Sequence, residues 1–356
     1  DVAQAVQRVL LDVRESVEDW GKMHERISAI VHELDEAPPP LPAEEVRQGR
    51  ELLSWLADDH FAFLGYREYA LERDGDAETL HARPGSGLGI LRSDPDLAHG
   101  AYRLPPAAAD RARERTLLVL TKANSRSTVH RPAYLDYVGV KSFGPDGEVT
   151  GERRFLGLFS STAYTESVTR IPLLREKVAE VLERSGFDPQ SHDGKALINT
   201  LETWPRDELF HTPVDELTEI AEAASLARER RAVRLFLRPD TYGRYVSAIV
   251  YLPRDRYNTA VRERFASLLV ERLQGESIDY TARLDESTTA RVHFVVHLGR
   301  GAAVPQADAE LVAELEHDLA AAARSWRDDF ANAVVDERGE EVGVALARRY
   351  AESFPE

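Results

Sequence analysis

The sequence has no cysteine and a single methionine. The first absence excludes disulfides, thiolate metal sites and a cysteine nucleophile, and it fits a reducing cytoplasm. No apolar run approaches the ~20 residues needed to span a bilayer, and no signal peptide is visible, so no membrane partner is expected. Positive charge is also short. Lys and Arg number 45 against 62 Asp and Glu, for a net charge of −17. Such a chain is poorly suited to displace counterions from a phosphate backbone, so no nucleic-acid partner is expected. Phosphate-binding loops are missing as well. The stretch "GSGLGIL" (85–91) is GxGxG rather than GxGxxG and reads as a turn or bulge. There is no Walker loop, GxSxG or HExxH.

What remains is a globular composition, 43% apolar and 30% charged over 356 residues, enough for two or three domains. Residues 2–34 carry apolar side chains at helical spacing, namely Val6, Val9, Leu10, Val13 and Val17 and then Ile27, Ile30, Val31 and Leu34. "APPPLPAEE" (37–45) breaks the pattern. Pro42 suits the first turn of a helix running to about Ala57. Strands are expected over 61–71, 80–91, 115–131, 134–143 and 148–161, linked by hairpins such as "GPDG" (144–147). Helices follow in "PLLREKVAEVLERSGF" (172–187), starting at Pro172 with Gly186 as the residue that ends it, over 194–204, and from a capping arrangement at Thr212 and Pro213 to about Arg231. The order then becomes ββαββα: strands 232–239 and 245–253, a helix 258–275 between Asn258 and Gly275, strands 277–284 and 290–298, and a helix 306–326. This is a circular permutation of the ferredoxin-like βαββαβ order. The fold class is therefore α+β, an antiparallel sheet domain with helices followed by a permuted ferredoxin-like sandwich and flanking helices. The chain starts inside a helical pattern and ends in a helical tail, which reads as a piece of something longer.

The most unusual stretch is "TLLVLTKANSRSTVHRPAYLDYVGV" (116–140), which has no acid before Asp136. Alternation along a strand places Lys122, Asn124, Arg126 and Thr128 on one face. With Arg153 and Arg154 on a neighbouring strand, this makes a cationic sheet face. It is either a surface strand neutralised by acids from elsewhere or a contact for an anionic effector or acidic partner subunit. Three other groupings invite chemistry but read as structural. His293 and His297 share a strand face without a third ligand, so no metal is expected. "DDH" (58–60) sits at a helix-to-strand corner. "RDELFHTPVDE" (206–216) is read as a charged surface loop with a capped helix start rather than an acid/base pair. No catalytic residue is assigned.

The stretches "FAFLGYREY", "LTKANSRSTVHRPAYLDYVGVK", "GERRFLGLFSSTAYTESVTRIPLLREKV", "SHDGKALINTLETWPRDELF" and "YLPRDRYNTAVRERF" together resemble the N-terminal segment of the large-subunit bacterial NAD-specific glutamate dehydrogenases. The resemblance covers nearly the whole chain. It implies a regulatory and oligomerisation segment with ACT-like and PAS-type modules: 1–46 a helical spacer, 47–165 the PAS-like domain, 166–231 a helical connector, 232–326 the ACT-like domain and 327–356 a helical tail. It also implies that NAD belongs to a catalytic core absent from this chain, which carries no cofactor of its own, and that the parent is a homo-oligomer. ACT-like modules bind small ligands at a strand-to-helix loop, which leaves two places here for an amino-acid effector. One is "PRDRYN" (253–258), with Arg254, Arg256 and the cap Asn258. The other is "GRGAAVP" (299–305), with Gly299 and Gly301. An independent amino-acid-binding sensor is the alternative reading.

Overall fold

The computed structural model describes residues 2–74, 77–93, 101–104, 106–230, 232–240, 243–284, 288–299 and 302–353. The chain divides into two compact units, Asp1–Thr218 and Glu219–Glu356.

The first unit opens with α1 (Val2–Glu36) and α2 (Ala43–Trp55). Pro42 is the residue before α2 rather than its first turn. The chain leaves α2 through Leu56–His60, where Asp59 takes a left-handed φ of 56°. Strands β1 (Phe61–Asp74), β2 (Ala77–Ala82), β3 (Leu88–Gly89) and β4 (Ala101–Arg103) precede α3 (Pro106–Arg113). Then come β5 (Leu118–Arg126), β6 (Tyr134–Phe143) and β7 (Val149–Phe159). Among the described residues these make one antiparallel sheet in the order β4-β2-β1-β7-β6-β5, with β3 paired to β1. The last strand thus lies beside the first, joined in register from Phe61↔Phe159 to Ala70↔Gly151. Phe61, Phe63, Phe155 and Phe159 meet edge-on along this seam, with ring centroids 5.1–5.5 Å apart. Each such pair adds about 0.5–1.5 kcal/mol beyond burial. Helices α4 (Ser161–Thr165), α5 (Leu174–Ser185), α6 (His192–Thr203), α7 (Arg206–His211) and α8 (Val214–Arg230) follow.

Several local readings change. The apolar stripe of the first half of α1 is exposed at Val6, Leu10 and Val17. The buried face is Ser16, Asp19, Met23, Ile27, Ile30 and Leu34. The strand expected over 115–131 stops at Arg126. Ser127 explains the stop. Its hydroxyl donates to the Val129 carbonyl at 2.6 Å, offering the backbone a turn in place of the ladder. "RDELFH" is the short helix α7, not a surface loop, and buries Arg206, Glu208, Leu209 and Phe210. Thr212 does not cap α8; its hydroxyl donates back to the Glu208 carbonyl at 2.7 Å.

In the second unit, β8 (Arg234–Pro239), β9 (Tyr245–Pro253), α9 (Thr259–Arg272), β10 (Ser277–Arg283), β11 (Thr289–His297) and α10 (Ala309–Ala322) realise the ββαββα order. Its antiparallel sheet runs β10-β11-β9-β8. One sheet face carries Val246, Ala248, Val250, Val292, Phe294 and Val296 into a core with Phe265 and Leu269 of α9 and Leu315 and Leu319 of α10. Asn258 caps α9 by accepting from the Val261 N–H at 2.9 Å. The left-handed residue that ends α9 is Gln274, φ 54°, not the expected Gly275. The tail is two helices, α11 (Trp326–Arg338) and α12 (Glu340–Ser353), separated by Gly339. No helix among the described residues is long and apolar enough to cross a membrane.

Candidate functional site

The basic stretch ends in a buried ionic cluster. Lys122 on β5 faces Asp136 across the β5–β6 pair, and their side chains meet at 2.5 Å. Its ammonium also reaches Asp207 in the first turn of α7, at 2.8 Å. The Tyr164 hydroxyl of α4 donates to Asp207 at 3.4 Å, and the Arg131 guanidinium lies 5.6 Å from the Tyr164 ring. Asp136 takes a further long hydrogen bond from the Phe159 N–H at 3.3 Å. Burial would lower the Lys122 pKa, but the carboxylates of Asp136 and Asp207 outweigh it and hold the ammonium well above its usual value. Burial pushes Asp136 up to about 6, Lys122 opposes this, and the nearby Asp207 charge adds to it. The cluster ties two strands of the sheet to two helices. It offers a positioned charge pair but leaves Lys122 committed to protein carboxylates.

The four cations expected on one face are divided. Arg153 and Arg154 are consecutive on β7, so their side chains leave opposite faces of the sheet. Arg153 goes to Glu33 of α1, at 2.5 Å. Arg154 lies between the rings of Tyr69 and Tyr137, 4.1 and 4.8 Å from their centroids, with Glu152 at 3.1 Å. Arg126 lies over the Tyr134 ring at 5.3 Å.

In the second unit, Arg254–Arg256 is a single tight turn before α9. Arg256 pairs with Asp328 of α11 at 3.0 Å. Arg254 anchors the turn by its N–H to the Thr288 carbonyl, 2.9 Å. The Asn258 side chain is spent on its cap. Gly299 faces Glu276, whose carboxyl oxygen would lie 2.6 Å from an added Cβ. Gly301 lies outside the described residues.

The other groupings are packed into the fold. The His293 ring meets the Ser247 hydroxyl at 2.9 Å. His60 stacks on Trp55 at 4.2 Å, and its Nε2 lies 3.1 Å from Glu166. No group of three His, Asp or Glu side chains among the described residues is arranged to hold a metal. The loop 85–91 does not fit a dinucleotide. The Gly89 N–H is taken by Asp19 Oδ2 at 3.0 Å and the Ile90 N–H by the Leu64 carbonyl at 2.8 Å. The next residues to Ser93 form turns rather than a helix N-terminus.

Sequence reasoning missed Asp19, Arg67 and Tyr69. Asp19 is fully buried in α1 and bonded to Gly89, Arg92 and Lys22. A lone acid on a helix gives no signal of this, because two of its partners, Gly89 and Arg92, are 70 and 73 residues away in sequence. Arg67 and Tyr69 sit in "FAFLGYREYAL", where the aromatic alternation drew attention to the opposite face.

Two family models match this arrangement. Residues 234–327, from β8 past α10, match the ACT2 domain of glutamate dehydrogenase. Residues 171–230, covering α5 to α8, match helical motif 1 of glutamate dehydrogenase. Along its whole length the chain is similar to curated NAD-specific glutamate dehydrogenases. It is 39% identical over 354 residues to that of Pseudomonas aeruginosa, 36% over 367 to that of Halomonas elongata and 34% over 365 to that of Mycobacterium tuberculosis. These alignments take in 99%, 100% and 100% of this chain but 22%, 22% and 21% of the relatives. The chain spans about a fifth of the length of the curated relatives it matches.

Proposed function

We propose that this chain is a non-catalytic regulatory and oligomerisation segment of an NAD-dependent glutamate dehydrogenase. The whole enzyme would convert L-glutamate, NAD and water to 2-oxoglutarate, ammonium and NADH in the cytoplasm. The observation that carries this reading is the pairing of full coverage of this chain with a fifth of each relative, the ACT2 match falling on the four-stranded unit. NAD and the reacting substrate then belong to the remainder of the parent.

The finer fold reading is consistent with the strand orders. A βαββαβ sandwich begun at its last strand gives the neighbours β8-β9-β11-β10, which supports an ACT-like domain over 232–326. An antiparallel sheet whose last strand returns beside its first supports a PAS-like domain over 47–165. On this reading 1–46 is a spacer, 166–231 a connector and 327–356 a tail leading onward.

An amino-acid effector is assigned to the Arg254–Asn258 turn. Arg254 and Arg256 stand there before the N-terminus of α9. Gly299 and Gly301 mark the second loop.

Oligomerisation has a direct test. Sedimentation equilibrium of the 356-residue chain is expected to show a mass above the monomer that dissociates on dilution. A monomer at every concentration would remove assembly from the proposal.

A further inference from the structure

We propose that the face of the first sheet turned away from α1 holds a binding site for a small organic monocarboxylate, built from the guanidiniums of Arg67 and Arg154 and the hydroxyl of Tyr69. The inference stands independently of the assembly role above.

The two faces of this sheet differ in kind. Phe63 and Tyr66 meet α1 on one face, through His24 at 5.2 Å and Arg26 at 6.0 Å, and Arg153 pairs there with Glu33. On the other face, register sets Arg67 of β1 directly beside Arg154 of β7. Two like charges in adjacent cross-strand positions repel one another. Arg67 is buried, and no carboxylate among the described residues lies within ion-pairing distance of it. Its Nη2 donates to the Leu91 carbonyl.

Arg154 has one acid, Glu152, which accepts from its Nε at 3.1 Å and also from the Tyr137 hydroxyl. No protein acceptor among the described residues takes the terminal nitrogens of Arg154. Lys141, in register with Glu152, donates to the Arg111 and Glu114 carbonyls at the end of α3, 2.7 and 2.6 Å away. Two guanidiniums therefore have one carboxylate between them, with 19% of the Arg154 side chain open to solvent, which leaves about one positive charge uncompensated.

Tyr69 supplies the second, independent observation. Its hydroxyl is buried and has no hydrogen-bond partner, although its ring touches Arg154. The residue is 3% exposed. Leaving such a donor unmade costs on the order of 1–3 kcal/mol, which a native fold tolerates where a ligand or function uses it. Opposite Arg154 the sheet carries Gly139. A Cβ there would come within 2.9 Å of Glu152 and 3.0 Å of Tyr137, so the glycine lets those two side chains close in beside Arg154.

The ligand class follows from this balance. One uncompensated charge matches a monoanion, and a guanidinium fork with a phenol donor matches the two oxygens of a carboxylate. Apolar clusters flank the charges, one around Leu64, Leu91 and Leu156 and the other around Leu71, Leu80 and Val149. They suit the organic remainder and disfavour a dianionic phosphate, whose second charge would be buried without a partner.

The test uses the 356-residue protein, with propionate, pyruvate and benzoate as probes, and chloride and inorganic phosphate as controls at equal ionic strength. Binding is read by thermal shift and saturation-transfer NMR. At least one carboxylate is expected to bind saturably, and chloride and phosphate are expected not to. Tyr69→Phe keeps the ring, is expected to match or exceed the wild-type melting temperature without ligand, and should weaken the carboxylate about tenfold or more. Arg154→Lys keeps the charge but loses the fork and should weaken it as well. The proposal is overturned if no carboxylate binds saturably, if phosphate binds in their place, or if either variant binds like wild type.

Discussion

Lys122→Met is expected to lower the stability of the first unit by about 3–5 kcal/mol, the range for breaking a buried pair by removing one partner. Methionine fills much of the same volume, so the loss reports charge rather than a cavity. Asp136 and Asp207 would then face each other without their ammonium, in a place where burial already holds Asp136 near 6. The deficit should be largest above pH 6 and shrink towards pH 5, because a proton on one carboxylate replaces the missing cation. Urea unfolding followed by tryptophan emission measures it, since Trp20, Trp55 and Trp204 all lie in this unit. A loss under about 1 kcal/mol, the size of an exposed ion pair, would show that the cluster is solvated.

Asp19→Ala is expected to cost about 2–4 kcal/mol and to loosen α1 from the sheet. Burial raises the pKa of this carboxyl, but hydrogen bonds from Arg92, Lys22 and the Gly89 N–H outweigh it and hold the group at about 2. The folded pKa lies below the unfolded value near 3.9. The stabilisation is therefore complete above about pH 4–5 and is lost as pH falls towards 2. A shift of this size corresponds to about 2–3 kcal/mol by linkage. The Asp19→Ala variant should have a correspondingly flatter acid limb in its stability profile and faster proteolysis of α1. A variant with the wild-type acid limb would remove Asp19 from the docking of α1.

Both residues show where the sequence stops being informative. Periodicity finds α1, and it finds the ββαββα order almost to the residue at β9 and β10, because short β-branched and apolar runs bounded by turn residues mark those strands locally. It cannot tell which stripe of α1 meets the protein. Val6, Leu10 and Val17 make the stronger apolar stripe and stay exposed, whereas the buried stripe includes Ser16 and Asp19, whose partners come from β1 and the segment after β3.

The basic stretch was recognisable as unusual, and its composition hinted at acids supplied from elsewhere. Which acids they were, Asp136 across a strand pair and Asp207 from a helix that reads locally as a loop, depends on contacts 14 and 85 residues away in sequence. The separation of Arg153 from Arg154, by contrast, was available from alternation alone.

The turn before α9 was legible in part. Asn258 reads as a cap and is one, but the Arg256–Asp328 pair needed the placement of α11.

The most direct measurement is the rate of NADH formation by the purified 356-residue chain given L-glutamate and NAD. A non-catalytic segment predicts no glutamate-dependent rise in absorbance above the protein-free blank. A rise that co-purifies with the chain through successive columns would contradict the account and place a catalytic centre within this segment.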